Sequence, residues 1–286
     1  MRVLVTLATA TTLLVGALPA AAQRFSRDRD VEGSETCREI WREYGRMMSG
    51  RPAAVYCEVR DLGTRAARGT LDVDGGERQG VLVRGGSRSD VRTSLVIQAQ
   101  GRSVDDAREL ARRVAVDLSR TPLRITGITA MDEQDDDHFV GATLVLDTPR
   151  ESDLSLRVGY APLTVRDVRG RMDLRADHGP LQISNVGGDV RARVEYGPLS
   201  VDLDSPRWNG TRLDAESAYG PVTLTVPRSF AGDLEIGSEH GPFSSDLPLS
   251  VTHLDDSPVR TRLGGGGPPV HAVARYGPMS LRTRDR

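Results

Sequence analysis

Side chains able to do chemistry recur in one slot of this chain. Tyr160, His178, Tyr196, Tyr219, His240 and Tyr276 each precede a Gly-Pro pair, or Ala-Pro in the first copy. Four of the six tyrosines and two of the five histidines occupy that slot. Phenol and imidazole can stack on flat ligands, share hydrogen bonds or move protons. A catalytic pair of His178 with His240 is disfavoured, because each merely fills a tyrosine position. Two readings remain. One is an exposed stripe that stacks on sugars or another flat ligand. The favoured one is a stacking ladder that fixes register at a corner of the fold.

Other reactive groupings are weaker. "GSEHG" (237–241) sets Ser, Glu and His side by side, but neighbours on a strand face opposite ways and cannot form a triad. "MDEQDDDH" (131–138) lacks the spacing and glycine of a calcium loop and reads as a solvated acidic loop. "DVDGGE" (72–77) reads as a hairpin turn. Phosphate-loop, HExxH, GxSxG and GxGxxG patterns are missing from the sequence. No catalytic residue, metal ligand or cofactor site is nominated, and the chain is expected not to be an enzyme.

The elements that carry the slot are legible from their periodicity. Two, four and six residues before each slot residue stand apolar or small side chains, such as Val194, Ala192 and Val190 before Tyr196. Three and five residues after it the pattern resumes, as at Leu199 and Val201. Each unit is therefore a period-2 strand, a break and a second period-2 strand. The even offset predicts slot side chains on the inner side or at the rim. Slots are separated by 18, 18, 23, 21 and 36 residues, the last gap carrying an insertion. Self-similarity near 20 residues predicts a mainly β fold, a β-solenoid or β-roll.

Upstream of the repeats, one amphipathic helix is expected over 103–120, with Ser103 as N-cap, Asp106 three residues on, and an apolar stripe from Val104 to Leu118. Strands flank it. Residues 1–22 read as a signal peptide: Arg2, an apolar run, then Ala20 and Ala22 before a cleavage point at Gln23. No later run is long enough to span a bilayer. Export predicts a periplasmic or secreted protein, and two cysteines in an exported chain predict a Cys37–Cys57 disulfide. The expected organisation is a 1–22 signal peptide, a 23–66 lead-in carrying the disulfide, a 67–150 strand–helix–strand part and repeated coils over 151–286.

Net charge is −2 and every one of the 38 basic residues is arginine, which offers no signal for nucleic acid or an anionic membrane.

The steps "DTPRESDLSL" (147–156) and "TVPRSFAGDLEI" (225–236), with "VRG", "VGGDV" and "LGGGGPPV", resemble the bacterial adhesin-like β-solenoid family, also called the autotransporter adhesin head domain. The similarity covers roughly 67–286. Members often carry Asn-Gly-Gly or Ser-Gly-Asp at the corner, where this chain has Tyr-Gly-Pro. The resemblance implies an exported, non-enzymatic protein that binds or scaffolds in the cell envelope, with an envelope protein or glycan as partner. The alternative is a polysaccharide-binding or polysaccharide-degrading β-helix.

Overall fold

The computed structural model describes residues 37, 54–77, 79–118, 121–126, 138–249 and 258–284. The segments read as the signal peptide and as the acidic run 131–137 lie outside them. Strands dominate. The first part contains β1 (Ala54–Ala66), β2 (Leu71–Asp74), β3 (Gln79–Gly86) and β4 (Asp90–Gly101). Helix α1 (Val104–Arg112) follows, then β5 (Ala115–Asp117), β6 (Leu123–Thr126) and β7 (Phe139–Pro149). The repeats supply β8 (Leu154–Val158), β9 (Leu163–Arg166), β10 (Arg169–Ala176), β11 (Leu181–Ser184), β12 (Gly187–Val194) and β13 (Leu199–Asp202). They continue with β14 (Gly210–Ser217), β15 (Val222–Pro227), β16 (Gly232–Ser238), β17 (Phe243–Ser245), β18 (Val259–Leu263), β19 (Pro269–Ala274) and β20 (Met279–Arg284).

These strands form two mixed ten-stranded sheets, neither closed on itself, in the orders β1-β4-β7-β3-β9-β11-β13-β15-β20-β17 and β18-β16-β19-β14-β12-β10-β8-β2-β6-β5. Through the repeats the chain alternates between the sheets. Each strand pairs in parallel with its counterpart from a neighbouring unit, so that Leu174 meets both Leu156 and Ala192. Period-2 alternation turns one face of each strand inward. Leu154, Leu156, Val158, Leu163 and Val165 in one unit, and Met172, Leu174, Ala176, Leu181 and Ile183 in the next, join a single core. Burying each large side chain contributes roughly 1.5–3 kcal/mol, and outward partners such as Arg157, Arg175 and Gln182 are polar and exposed.

Chain order and spatial order differ at two places. Strand β2 lies between β6 and β8, and β3 lies between β7 and β9. The segment 72–77 is therefore a corner between sheets, which corrects the expected hairpin. At the other end β19 and β20, the last strands of the chain, sit between β14/β15 and β16/β17. The insertion between the fifth and sixth slots supplies β18, which covers the outer edge of β16 in antiparallel pairing.

The helix is shorter than its apolar stripe predicts. Ser103 Oγ accepts the Asp106 N–H at 3.1 Å, as a cap should, and the helix stops at Arg112. The Arg60 guanidinium takes the carbonyls of Ala111 and Val114 at 2.9 and 2.5 Å. Those acceptors are lost to continued helix, Val114 closes the last turn by donating its N–H to Ala111 O at 3.2 Å, and the β-branched Val116 enters the strand that pairs with β6.

Candidate functional site

The strands before the slot end two residues short of it, at Val158, Ala176, Val194, Ser217, Ser238 and Ala274. The chain then turns, and the glycine of the triplet takes the inward position. A Cβ on Gly179 would stand 2.0 Å from the Ala161 carbonyl oxygen; on Gly197, 2.3 Å from that of Gly179; on Gly220, 1.9 Å from that of Gly197. Only glycine permits backbones to approach so closely. Proline carbonyls complete the corner: Leu163 donates its N–H to Pro180 O at 2.9 Å and Leu181 to Pro198 O at 3.0 Å. Proline needs no acceptor in return. The buried hydroxyl of Ser238 donates to Gly277 O at 2.8 Å inside this corner, so "GSEHG" is not a triad.

With glycine inward, the aromatic residue is pushed out. Of the two places the parity allows, the inner side is thereby excluded and the rim remains, because strand geometry ends before the slot. The six rings nevertheless stack in one column. Centroids are 4.2 Å apart for Tyr160 and His178, 4.8 Å for His178 and Tyr196, and 4.9 Å for Tyr196 and Tyr219. The column continues at 5.2 Å from Tyr219 to Tyr276 and 4.9 Å from Tyr276 to His240. Planes lie 8–21° from parallel. Tyr276 thus has rings on both sides, despite the long insertion before it.

Tyr196 is 50% exposed and Tyr160 56%. The faces of the four interior rings are covered by each other, so a sugar cannot stack on them. Their edges and hydroxyls are what solvent meets. Glu195 beside the column raises the Tyr196 phenol above its ordinary value.

A second grouping was not nominated from the sequence. On the outer face of adjacent strands, His271 of β19 lies opposite Asp214 of β14 on one side and Glu235 of β16 on the other. Its Nε2 is 3.5 Å from Glu216 Oε1 and 4.0 Å from Asp214 Oδ1, and its Nδ1 is 3.5 Å from Glu235 Oε2. Arginines hold the outer carboxylate oxygens: Arg212 and Arg191 at Asp214 Oδ2, Arg193 at Glu216 Oε2 and Arg260 at Glu235 Oε1. The Glu216 hydrogen bond raises the His271 imidazole; burial opposes, and Asp214 and Glu235 add to the rise. His271 in turn holds Glu216 low. Asp214, Glu235 and His271 all stand five residues before a slot, which was the available signal.

Cys37 and Cys57 are disulfide-bonded. Cys57 is on β1, and both cysteines pack with Val59 against a small apolar patch of Leu82, Val96 and Val145. That patch is a core cluster separate from the one between the sheets. The disulfide fastens Cys37 to the edge strand β1.

No family model and no curated protein matches the chain. Among solved structures it is similar to a candidate cell adhesion protein from Clostridium sporogenes, at 10% identity over 81% of this chain and 100% of that one, with a TM-score of 0.41. It is also similar to a candidate adhesin from Bacteroides fragilis, at 11% identity over 82% of this chain and 100% of that one, with a TM-score of 0.32. At these values neither assigns a family. Among the described residues, no helix is long and apolar enough to cross a membrane.

Proposed function

We propose that this chain is an exported, non-enzymatic β-solenoid that binds within the cell envelope, in the periplasm or outside the cell, and that the aromatic column is its contact surface. Three features support the reading. Repeat strands alternate between two sheets and pair in parallel, unit to unit. The Cys37–Cys57 disulfide suits an oxidising compartment. The observation that carries the binding role is the exposed edge of the column, where hydroxyls and imidazoles repeat at the spacing of the rings. A row of evenly spaced polar edges suits a ligand with evenly spaced polar groups of its own, such as a repeating glycan. Stacking along the column is not the mode of contact, because both faces of the four interior rings are already taken.

The test separates edge from face. Tyr196→Phe with Tyr219→Phe keeps both rings in the column and removes only their hydroxyls. Cosedimentation of the purified chain with insoluble peptidoglycan should show binding that the double variant weakens, at an unchanged unfolding midpoint. Equal binding by both proteins, or none by either, would reject the column as the contact surface. Steady release of soluble sugar from the pellet would reject the non-enzymatic reading.

A further inference from the structure

We propose that Asp214, Glu216 and His271 form a binding site for a divalent transition-metal ion of the zinc class, clamping the inserted strand β19 to β14. Asp214 and Glu216 are two residues apart on one strand and so project from the same face. His271 faces them from the next strand. One ligand atom from each of the three residues lies within 4.8 Å of the others. From His271 Nε2 the two carboxylate oxygens are 3.5 and 4.0 Å away. Ligands arranged tetrahedrally at zinc distances stand about 3.3 Å from one another, so a small inward closure brings all three into range. One imidazole and two carboxylates are borderline and hard donors, a set that suits zinc and its first-row neighbours.

The surroundings are those a metal site needs beyond its ligands. The other imidazole nitrogen, Nδ1, faces Glu235 Oε2 at 3.5 Å, the carboxylate–histidine arrangement that fixes the ring with Nε2 toward the metal. Glu235 is itself held by Arg260 at 3.0 Å. Each ligand carboxylate keeps one oxygen toward His271 and gives the other to arginine: Asp214 to Arg212 at 3.4 Å, Glu216 to Arg193 at 3.8 Å. Those arginines limit charge repulsion between the two carboxylates and orient the free oxygens. Three protein ligands leave a fourth position for water or a group from a partner. Because the ligands come from β14 and β19, a bound ion would tie the first strand of the final unit, β19, to β14.

Isothermal titration of the tag-free, EDTA-treated full chain with zinc chloride tests the proposal, with thermal unfolding recorded at saturating zinc. One saturable site per chain and a raised unfolding midpoint are expected. His271→Ala should abolish both effects. Glu235→Gln keeps all three ligands and should weaken binding about tenfold or more. Glu109→Gln, on the exposed face of α1, should change neither readout. Absence of saturable binding to the parent chain, or binding unchanged in His271→Ala, overturns the site. If His271→Ala fails to fold, Glu235→Gln decides: parent-like affinity there rejects it.

Discussion

Tyr276 stacks on Tyr219, with ring centroids 5.2 Å apart and planes 9° from parallel, although His240 lies between them in the chain. The contact follows from the placement of β19 and β20 inside the sheets instead of at their ends. It makes Tyr160 and His240 the end members of the column and every other ring an interior one.

Position in the column should set the cost of losing a ring. Tyr196 has two stacked neighbours and Tyr160 has one. A stacked aromatic contact contributes about 0.5–1.5 kcal/mol beyond area burial. Tyr196→Ala and Tyr276→Ala should each cost about 1–3 kcal/mol, and Tyr160→Ala about half as much. Urea unfolding measures all three. Equal losses at Tyr160 and Tyr276 would show that stacking does not stabilise this corner.

The corner glycines should be far less tolerant than the rings. A Cβ on Gly197 would stand 2.3 Å from a backbone oxygen, which cannot move without parting two strands. Overpacking against yielding side chains costs about 1–3 kcal/mol, so Gly197→Ala should exceed about 3 kcal/mol. Gly86 has open space where its Cβ would be, and Gly86→Ala should stay within about 0.5 kcal/mol. Chemical denaturation of the pair checks the contrast; a mild Gly197→Ala would mean the units are spaced more widely than described.

The disulfide should be complete and should matter. Its cysteines are 20 residues apart, and closing such a loop stabilises by about 3 kcal/mol in the chain-entropy model. Denatured, unreduced protein should show no free thiol, and Cys37→Ser with Cys57→Ser should lose stability of that order. Two titratable thiols per chain would rule out the pairing.

Stability should also depend on pH through Asp106. The Arg102 backbone N–H, followed by His138, holds its carboxyl below the ordinary 3.8. A depressed folded pKa contributes stability that is present above the unfolded value and lost as pH falls through the folded one. Asp106→Asn should therefore be less stable than the parent at pH 7, and the gap should narrow on acidification below about pH 4. Urea midpoints at several pH values test this; a gap independent of pH would show that the charge of Asp106 is not what stabilises.

Much of the core was legible because the strand period writes itself into the sequence. All eighteen positions two, four and six before the slots are buried, down to Ser217 and Ser238. What failed did so where geometry changes between neighbours. Parity stops at the strand end and so leaves the inner side and the rim both open for the slot residues, and the apolar stripe runs on through Val116, which takes a partner strand instead. The Asp214–His271–Glu235 row needs the spatial order β14-β19-β16, and nothing in the repeat reveals that the last unit precedes the fifth in space.

That order predicts an unusual response to truncation. In a stack built in chain order, removing the last unit severs contacts on one side only, and the remainder keeps its nearest-neighbour stability. Here β19 pairs with β14 and β16, and β20 with β15 and β17. Ending the chain after Gly267 would remove interior strands from both sheets, third and second from their ends, and take Val270, Ala272, Ala274, Met279 and Leu281 out of the core. Strands β16, β17 and β18 would lose the strand pairing that joins them to the other units, keeping only the bridge of Ala231 to Arg207. The truncated chain should lose most of its cooperative unfolding transition or become aggregation-prone through the exposed edges of β14 and β15. Circular dichroism melts and size-exclusion chromatography of the truncated and full chains compare the two cases. A truncated monomer that melts cooperatively within a few degrees of the full chain would refute the inserted arrangement.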